Sequence, residues 1–317
     1  MLDLLSDIFA KLSVQGTLYF RTSFSAPYGV QVPQYENVAR FHYAHRGSCW
    51  LSVAGREQAI FLDQGDLVIV PHGASHCLMS RRFPPEDALP LDTVLEQASY
   101  DGKGVLVFGG EGQPDGGGGT QLICGHFSFA PGGRHLIFDL LPDHLHIARY
   151  GETAGPWLSE TLKMIGAEIE QGLPGSDLIA MRLAETILAH TLRIYLQNAT
   201  AKGGPLIGFA DPHIGRALAA MHADPTRAWT VELLAREAGL SRSGFANRFS
   251  AMLGITPMDY LKRWRMQIAR ALLATQGASV AEAAEQAGYR SEAAFSRAFK
   301  SETGYAPSAY RSLQRKR

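Results

Sequence analysis

From residue 15 to about 149 the chain switches between apolar and polar positions in short runs. "GTLYFRTSF", "ARFHYAHRGSCWLSVAG", "AIFLDQGDLVIVP" and "QLICGHFSFA" alternate residue by residue and break at Gly, Pro or Asp-Gly. A period of two sends one side of each run inward, so this part predicts β-strands. Residues 155–198 change period. "PWLSETLKMIGAEIEQ" and "SDLIAMRLAETILAHTLRIYLQ" carry apolar residues at helical spacing. Pro156 suits a first helical turn, and Asp177 or Ser176 suits the cap of the second helix. Leu183, Ile187 and Ile194 form a stripe that packs either on the chain's own domain or on a second copy. Two low-complexity stretches, 80–92 and 109–120, read as loops, the glycine-rich second one flexible, and 198–212 reads as a linker. Beyond it every segment is helical in pattern.

The helical end repeats itself. "AREAGLSRSGFANRFSAMLGITPMDYL" (235–261) aligns with "AEQAGYRSEAAFSRAFKSETGYAPSAYR" (284–311). Ala238-Gly239 falls on Ala287-Gly288, Phe245 on Phe295, Phe249 on Phe299, Gly254 on Gly304, Pro257 on Pro307 and Tyr260 on Tyr310. The second copy has one extra residue after its glycine. Such self-similarity marks a duplicated unit. Each copy predicts a short amphipathic helix, a left-handed glycine turn, then a second helix capped by Ser241 or Ser291. The paired phenylalanines, four apart, give that second helix a buried side. Its other side shows Arg242, Ser243, Ala246, Asn247 and Ser250 in copy one. In copy two it shows Glu292, Ala293, Ser296, Arg297 and Lys300, preceded by Arg290 and Ser291. Small, polar and basic side chains suit close approach to base edges in a major groove. Gly244 lowers helix propensity in copy one, and it and Ala246 are poor readers, so base contacts there rest on Arg242, Ser243 and Asn247. "PMDYLKRWRMQIARALLATQ" (257–276) joins the copies without an internal Gly or Pro. About twenty helical residues span roughly 30 Å, close to one turn of B-DNA at about 34 Å.

Charge sharpens this picture. The chain of 317 residues is neutral overall, but from residue 211 onward it holds 16 Lys/Arg against 9 Asp/Glu, and residues 1–210 hold 14 against 21. A basic end suggests a polyanionic partner. The three cysteines, Cys49, Cys77 and Cys124, form no CxxC pair, which removes zinc-ribbon and thioredoxin readings. Buried, reduced thiols are the plain expectation. No apolar run reaches the length of roughly 18 residues that a membrane span needs. The amphipathic start, with Asp3 and Asp7, is unlike a secretory signal. A cytoplasmic protein without a membrane partner is expected.

Residues 213–313 resemble the DNA-binding domain of the AraC/XylS family of bacterial transcription regulators. The closing segment carries the family's signature with Gly288, Phe295, Arg297, Phe299, Lys300, Gly304 and Pro307 in place. The resemblance implies that the helices after Ser241 and Ser291 enter successive major grooves. Upstream, Gly65-Asp66, then Pro71-x-Gly73-x-x-His76, resembles half of a cupin motif. With "SAPYGVQVP" and "LICGHFSF", residues from 3 to about 150 are similar to the cupin-type sensor domain of many such regulators. The implied fold is α+β: a cupin-like β-barrel over 1–150, a helical linker or dimerisation segment over 151–200, and an all-α domain over 211–317 with two helix-turn-helix motifs.

Cupin enzymes bind a metal through an HxH pair, a glutamate and a distant histidine. Here the first motif reads His42-x-x-His45, whose members alternation puts on opposite faces, and Glu57 lies near a turn. His42 and His76, with Cys124 or His126, could still converge on one ion; core or pocket histidines are the plainer reading. No catalytic residue, cofactor or resident metal is assigned. His42, Trp50 and His76 are the candidate effector-pocket residues. Cys77 and Cys124 are candidate redox sensors, Cys77 for a lowered pKa beside His76. The expected function is sequence-specific DNA binding governed by a small effector or a redox signal. Expected partners are promoter DNA, an effector, RNA polymerase for an activator, and a second copy in a homodimer. The alternative is a metal-dependent cupin enzyme with an appended helical domain.

Overall fold

The computed structural model describes residues 6, 8, 14–80, 87–102, 104–109, 119–129, 136–150, 152, 156–171, 173–202, 207–275 and 277–315. Most of the two low-complexity stretches, 81–86 and 110–118, and part of the linker, 203–206, lie outside the described residues. The described residues form two compact units. One is drawn from Gln15–Ser128 and Leu141–Leu192, and the other has Arg193–Arg317 as its bulk.

The first unit is built on two mixed sheets. The strands are β1 (Val14–Ser25), β2 (Gly29–Val32), β3 (Val38–Arg46), β4 (Cys49–Val53), β5 (Ile60–Leu62), β6 (Leu67–Val70), β7 (His76–Met79), β8 (Leu89–Pro90), β9 (Val105–Gly109), β10 (Thr120–Phe129) and β11 (Leu145–Ile147). A six-stranded sheet runs β11-β6-β3-β10-β1-β9, and a five-stranded sheet runs β5-β4-β7-β2-β8. β1 with β9 and β2 with β8 are parallel; β3 with β6 and β10, β6 with β11, β7 with β2 and β4, and β4 with β5 are antiparallel. Phe24, Ala44, Val68 and Leu122 of the first sheet share a core with Val30, Leu51, Leu62 and Leu78 of the second. Helix α1 (Leu91–Gln97) occupies part of the sequence read as loop, with Leu91 and Val94 buried. Tight turns hold the strand ends. Gly73 has φ 64° and an added Cβ would lie 2.1 Å from the Tyr35 carbonyl oxygen, so only glycine fits. Asp66 accepts hydrogen bonds from the backbone N–H of Asp63 and Arg149 and from His146, tying the β5–β6 turn to the chain that follows β11.

After α2 (Leu136–Asp139) come α3 (Pro156–Gln171) and α4 (Ser176–Lys202). Pro156 opens α3 as expected. Ser176 is the first residue of α4, not its cap, and the side chain of Asp177 lies outside the described residues. The Ile179 N–H bonds to the Gly175 carbonyl, and the Ser176 hydroxyl donates to Glu168. Ile187 and Ile194 are buried within the chain, and Leu183 is half-buried. The expected linker is helical at both ends, where α4 runs to Lys202 and α5 covers Ile207–Ala210.

The second unit continues with α6 (Pro212–Ala223), α7 (Val231–Ala238), α8 (Arg242–Leu253), α9 (Pro257–Thr275), α10 (Val280–Gln286), α11 (Glu292–Thr303) and α12 (Pro307–Arg315). The duplicated words fold alike. Ser241 accepts from the Gly244 N–H and Ser291 from the Ala294 N–H, a cap worth about 1 kcal/mol. Gly254 and Gly304 end α8 and α11 in the left-handed region. Phe245, Phe249 and Tyr260 form one buried aromatic row, and Phe295, Phe299 and Tyr310 form its repeat. Helix α9 buries Tyr260, Leu261, Trp264, Ala269 and Leu273 in a core common to both copies. Its Arg265 donates to the carbonyls of Pro225 and Arg227. Gly288, at φ 73°, sits against the same loop, and an added Cβ would lie 2.9 Å from Thr226 Cα.

Gly288→Ala therefore combines left-handed strain with a backbone clash, and is expected to cost about 2 kcal/mol or more in urea unfolding. Gly254→Ala, with φ 70° and open space around the new methyl group, should cost less. Equal losses would deny the close approach any role.

Candidate functional site

Helices α8 and α11 each bury their phenylalanines and turn a polar face outward. On α8, Arg242, Ser243 and Asn247 are exposed and Ala246 is half-buried. On α11 and just before it, Arg290, Ser291, Glu292, Ala293, Arg297 and Lys300 are exposed and Ser296 is half-buried. The faces differ electrostatically. Arg242 pairs through Nε with Glu232 of α7 at 2.5 Å, so its charge is partly neutralised by a carboxylate. Arg248, on the same helix, is held by Asp211, the N-cap of α6. Among the described residues Arg290, Arg297 and Lys300 form no ion pair, and their charges face solvent uncommitted. Ser291 spends its oxygen as a cap, which makes it a positioning residue for α11 as much as a reader.

The sheet unit holds a small cavity of about 10 Å³, room for about one water molecule. Its polar wall is made by strand register. On β3 and β10, Arg40 stands opposite His126 and His42 opposite Cys124. Residues two apart share a face, so both pairs point the same way, beside Thr22 of β1. Phe24, Val30, Val32, Leu78 and Leu91 complete the lining with apolar surface.

His42 and His76 are 2% and 1% exposed, and they belong to one hydrogen-bonded chain. His76 Nδ1 lies 2.9 Å from the Ala74 carbonyl oxygen, which can only accept, so Nδ1 carries the proton and Nε2 is bare. His42 Nε2, 2.8 Å away, must then donate to His76 Nε2. His42 Nδ1 is left to accept from the Cys124 thiol at 3.1 Å. This arrangement requires a neutral thiol and neutral imidazoles, and burial enforces both. Desolvation, reinforced by the neighbouring His76 and Arg40, pushes the His42 pKa well below its usual value. Desolvation lowers His76 to about 4, Arg40 adding to the effect after the Ala74 hydrogen bond has opposed it. His126 is lowered to about 4 by desolvation and then by Arg40. Burial raises the Cys124 thiol far above its usual value.

Arg40 is the permanent charge in this wall. It is 8% exposed, its Nε is buried without a hydrogen-bond partner, and its guanidinium lies 4.5 Å from the centre of the Tyr35 ring. A cation–π contact returns about 0.5–2 kcal/mol, against a desolvation cost of several kcal/mol per buried ion. Stacking on Tyr35 alone does not balance that cost.

Several expected residues stand elsewhere. Trp50 does not line the pocket. Alternation along β4 turns Cys49, Leu51 and Val53 inward and Trp50 to the opposite face, where it packs on Phe61 and beside Cys77 and Met79. Cys77 is on that same outer face of β7, away from His76, and burial raises its pKa instead of lowering it. All three cysteines are free and buried. His45 and Glu57 are exposed, away from inward-facing His42. Both ring nitrogens of His42 are committed to Cys124 and His76, so this donor set does not fit the metal centre of a cupin enzyme. Among the described residues no three His, Cys, Asp or Glu are grouped to hold an ion. Arg40 escaped the sequence reading; a lone charge on the inward parity of a strand, two before His42, was its signal.

Residues 3–197 match the Cupin family and residues 234–312 match a Helix-turn-helix domain. An AraC-like transcription regulator of Streptomyces lividans is 38% identical over 279 residues, 86% of each chain. The chain belongs to the AraC family of transcription regulators. A second AraC-like regulator, of Streptomyces antibioticus, is 36% identical over 86% of this chain and 87% of that one. The DNA-binding domain of AdpA, solved in complex with a target DNA, is 34% identical and covers 33% of this chain and 95% of that one, with a TM-score of 0.32. In this AraC-family protein a cupin domain is thus joined to a helix-turn-helix DNA-binding domain. Among the described residues no helix is long and apolar enough to cross a membrane.

The neutral histidines tie stability to pH. Above about pH 6.5 folded and unfolded chains hold them alike. As pH falls from 6.5 towards 4 the unfolded chain takes up protons that His76 and His126 refuse when folded. Stability present above pH 6.5 is lost over that window, at up to about 1.4 kcal/mol per pH unit for each histidine. Urea unfolding at pH 7, 6 and 5 should show the slope, and His76→Asn should reduce it by about one proton. Equal stability at pH 7 and 5 would refute the neutral chain.

Proposed function

We propose that the protein reads a promoter with two helix-turn-helix units under the control of an effector bound in the cupin domain. Residues 211–317 are the DNA-binding domain, 1–150 the sensor and 151–200 a helical segment that serves dimerisation. The repeat carries this reading: two matched helix pairs present polar faces and are joined by α9, whose 19 residues span about 28 Å. That length approaches one helical turn of B-DNA. Arg297 and Lys300 of α11, with Arg290, are the leading contacts, because no carboxylate has to be displaced from them. Arg242, Ser243, Ala246 and Asn247 make the second, weaker reading face. Ser291, Glu292, Ala293 and Ser296 line the approach of α11.

The sensor binds its effector without transforming it: the polar wall is neutral apart from Arg40, and both nitrogens of His42 are engaged. Redox sensing is the weaker alternative, since burial suppresses the thiolate of Cys77 and Cys124. Met164, Leu173, Leu178 and Ile179 stay exposed around the α3–α4 turn and support a homodimer through that face. The protein works in the cytoplasm, with RNA polymerase as a further partner where it activates.

The test is binding of the full chain to its own upstream intergenic DNA, with a salt titration and shuffled competitor. Binding should weaken steeply with salt through counterion release. Arg297→Ala should cost about 1–3 kcal/mol on the specific site and less on shuffled DNA. Equal losses on both would make Arg297 a phosphate contact. Absence of binding at low salt would overturn the reading.

A further inference from the structure

The repeat reaches further back than its helix pairs. Counted from the turn glycines, Gly239 and Gly288, one constant offset sets the cap Thr230 on the cap Ser279, Val231 on Val280, and Arg216 of α6 on Arg265 of α9. Each arginine stands against the glycine of its own copy. An added Cβ would lie 3.1 Å from Arg216 Nη2 at Gly239 and 3.2 Å from Arg265 Nη2 at Gly288. Their hydrogen bonds differ. Arg216 Nη2 donates to the Ala238 carbonyl at 2.7 Å, inside copy one. Arg265 reaches out of its copy: Nε donates to the Pro225 carbonyl at 2.7 Å and Nη2 to that of Arg227 at 2.9 Å, both on the α6–α7 loop of copy one. We infer that Arg265 is a positioning residue for DNA reading: it locks the second reading head to the first and so sets the one spacing between DNA elements that the protein accepts. This rests on the two-headed reading above and names what fixes the heads relative to each other.

Both sides of the contact are preset. Asp224 folds the loop: its Oδ1 accepts from the Thr226 hydroxyl and the Arg227 N–H, and its carbonyl accepts from Trp229 Nε1. A planar guanidinium engaged through two nitrogens fixes direction as well as distance. Gly288 lets the turn of copy two rest on the same loop, since a Cβ there would lie 2.9 Å from Thr226 Cα. The contact therefore stands beside α9 as a second connection between the copies, and it opposes the gentle bending that one long helix permits. The leverage is large. Over the roughly 28 Å that α9 spans, a tilt of about 7° moves the far head by about 3.4 Å, the rise of one base pair.

Selection of duplexes from a random library by the full-length chain, followed by affinity measurements at one fixed salt concentration, tests this. The wild-type chain should enrich two elements at one spacing. It should bind duplexes with one base pair added or removed between them at least fivefold more weakly. Arg265→Met should lower that ratio to twofold or less, chiefly by weakening binding at the preferred spacing, and Arg265→Lys should retain part of it. Asp224→Ala loosens the loop from the other side, at an exposed position, and should lower the ratio in the same direction. A role in stability alone would lower all affinities together and leave the ratio intact. Arg216→Met supplies that comparison: it breaks the matching contact inside copy one and should keep the ratio. An undiminished ratio in Arg265→Met, or in Asp224→Ala where the first variant does not fold, would overturn the lock and leave the two-headed reading standing. Equal enrichment of several spacings by the wild-type chain would do the same, as would a ratio lowered as far by Arg216→Met as by Arg265→Met. Enrichment of one element, or of none, would sink the two-headed reading and the lock with it.

Discussion

The second unit depends on one long helix that lodges in its core. α9 supplies Tyr260 to the aromatic row of the first copy and runs beneath the second, so a single core serves both. Its length fixes how far apart α8 and α11 stand along it. Arg265 pins its middle to the loop at 225–227, and Gly288 of the second copy can approach that loop because it has no side chain. A shorter or kinked connector would leave each copy folded locally and remove the spacing between their faces. Duplication supplies the faces, and α9 gives them a distance.

The sheet unit follows a different constraint, the register of β3 against β10. One residue of slip in β3 would exchange Arg40 and His42 for their neighbours on the other face and break both pairs with β10. Register sets which groups meet, and burial sets their ionisation. The same desolvation that makes His42, His76 and His126 neutral acts on Arg40, whose pKa burial also lowers. Guanidinium retains its proton regardless. The wall of Arg40, His42, Cys124 and His126 therefore carries a single charge.

Much of this was legible in the residues. The repeat, its serine caps, its glycine ends and its phenylalanine rows are local features, and local features survive into structure with little change. Pro257 opens α9 and Thr275 closes it, one residue inside the expected range. What failed were readings that needed a third dimension. Trp50 looked like a pocket residue because it is large and near His42, but the parity of β4 sends it to the far face. Cys77 adjoins His76 in sequence and is turned away from it by the same alternation. Ser176 looked like a cap, but α4 begins at Ser176 itself. α1 begins in the last two residues of the stretch read as loop, and about two turns of helix have little periodicity to display. Arg40 was overlooked because a charged residue in a strand is normally taken to face water.

The chain from Cys124 through His42 and His76 to Ala74 has a direction. A carbonyl oxygen cannot give a proton, so the sequence of donors cannot run the other way. Each imidazole in it is locked into one tautomer, and the thiol's rotation is fixed by its acceptor. Two histidines that could together adopt four neutral tautomer combinations occupy one. The His42–Cys124 side of the wall is accordingly without proton disorder: its thiol and both ring nitrogens keep one assignment of donor and acceptor.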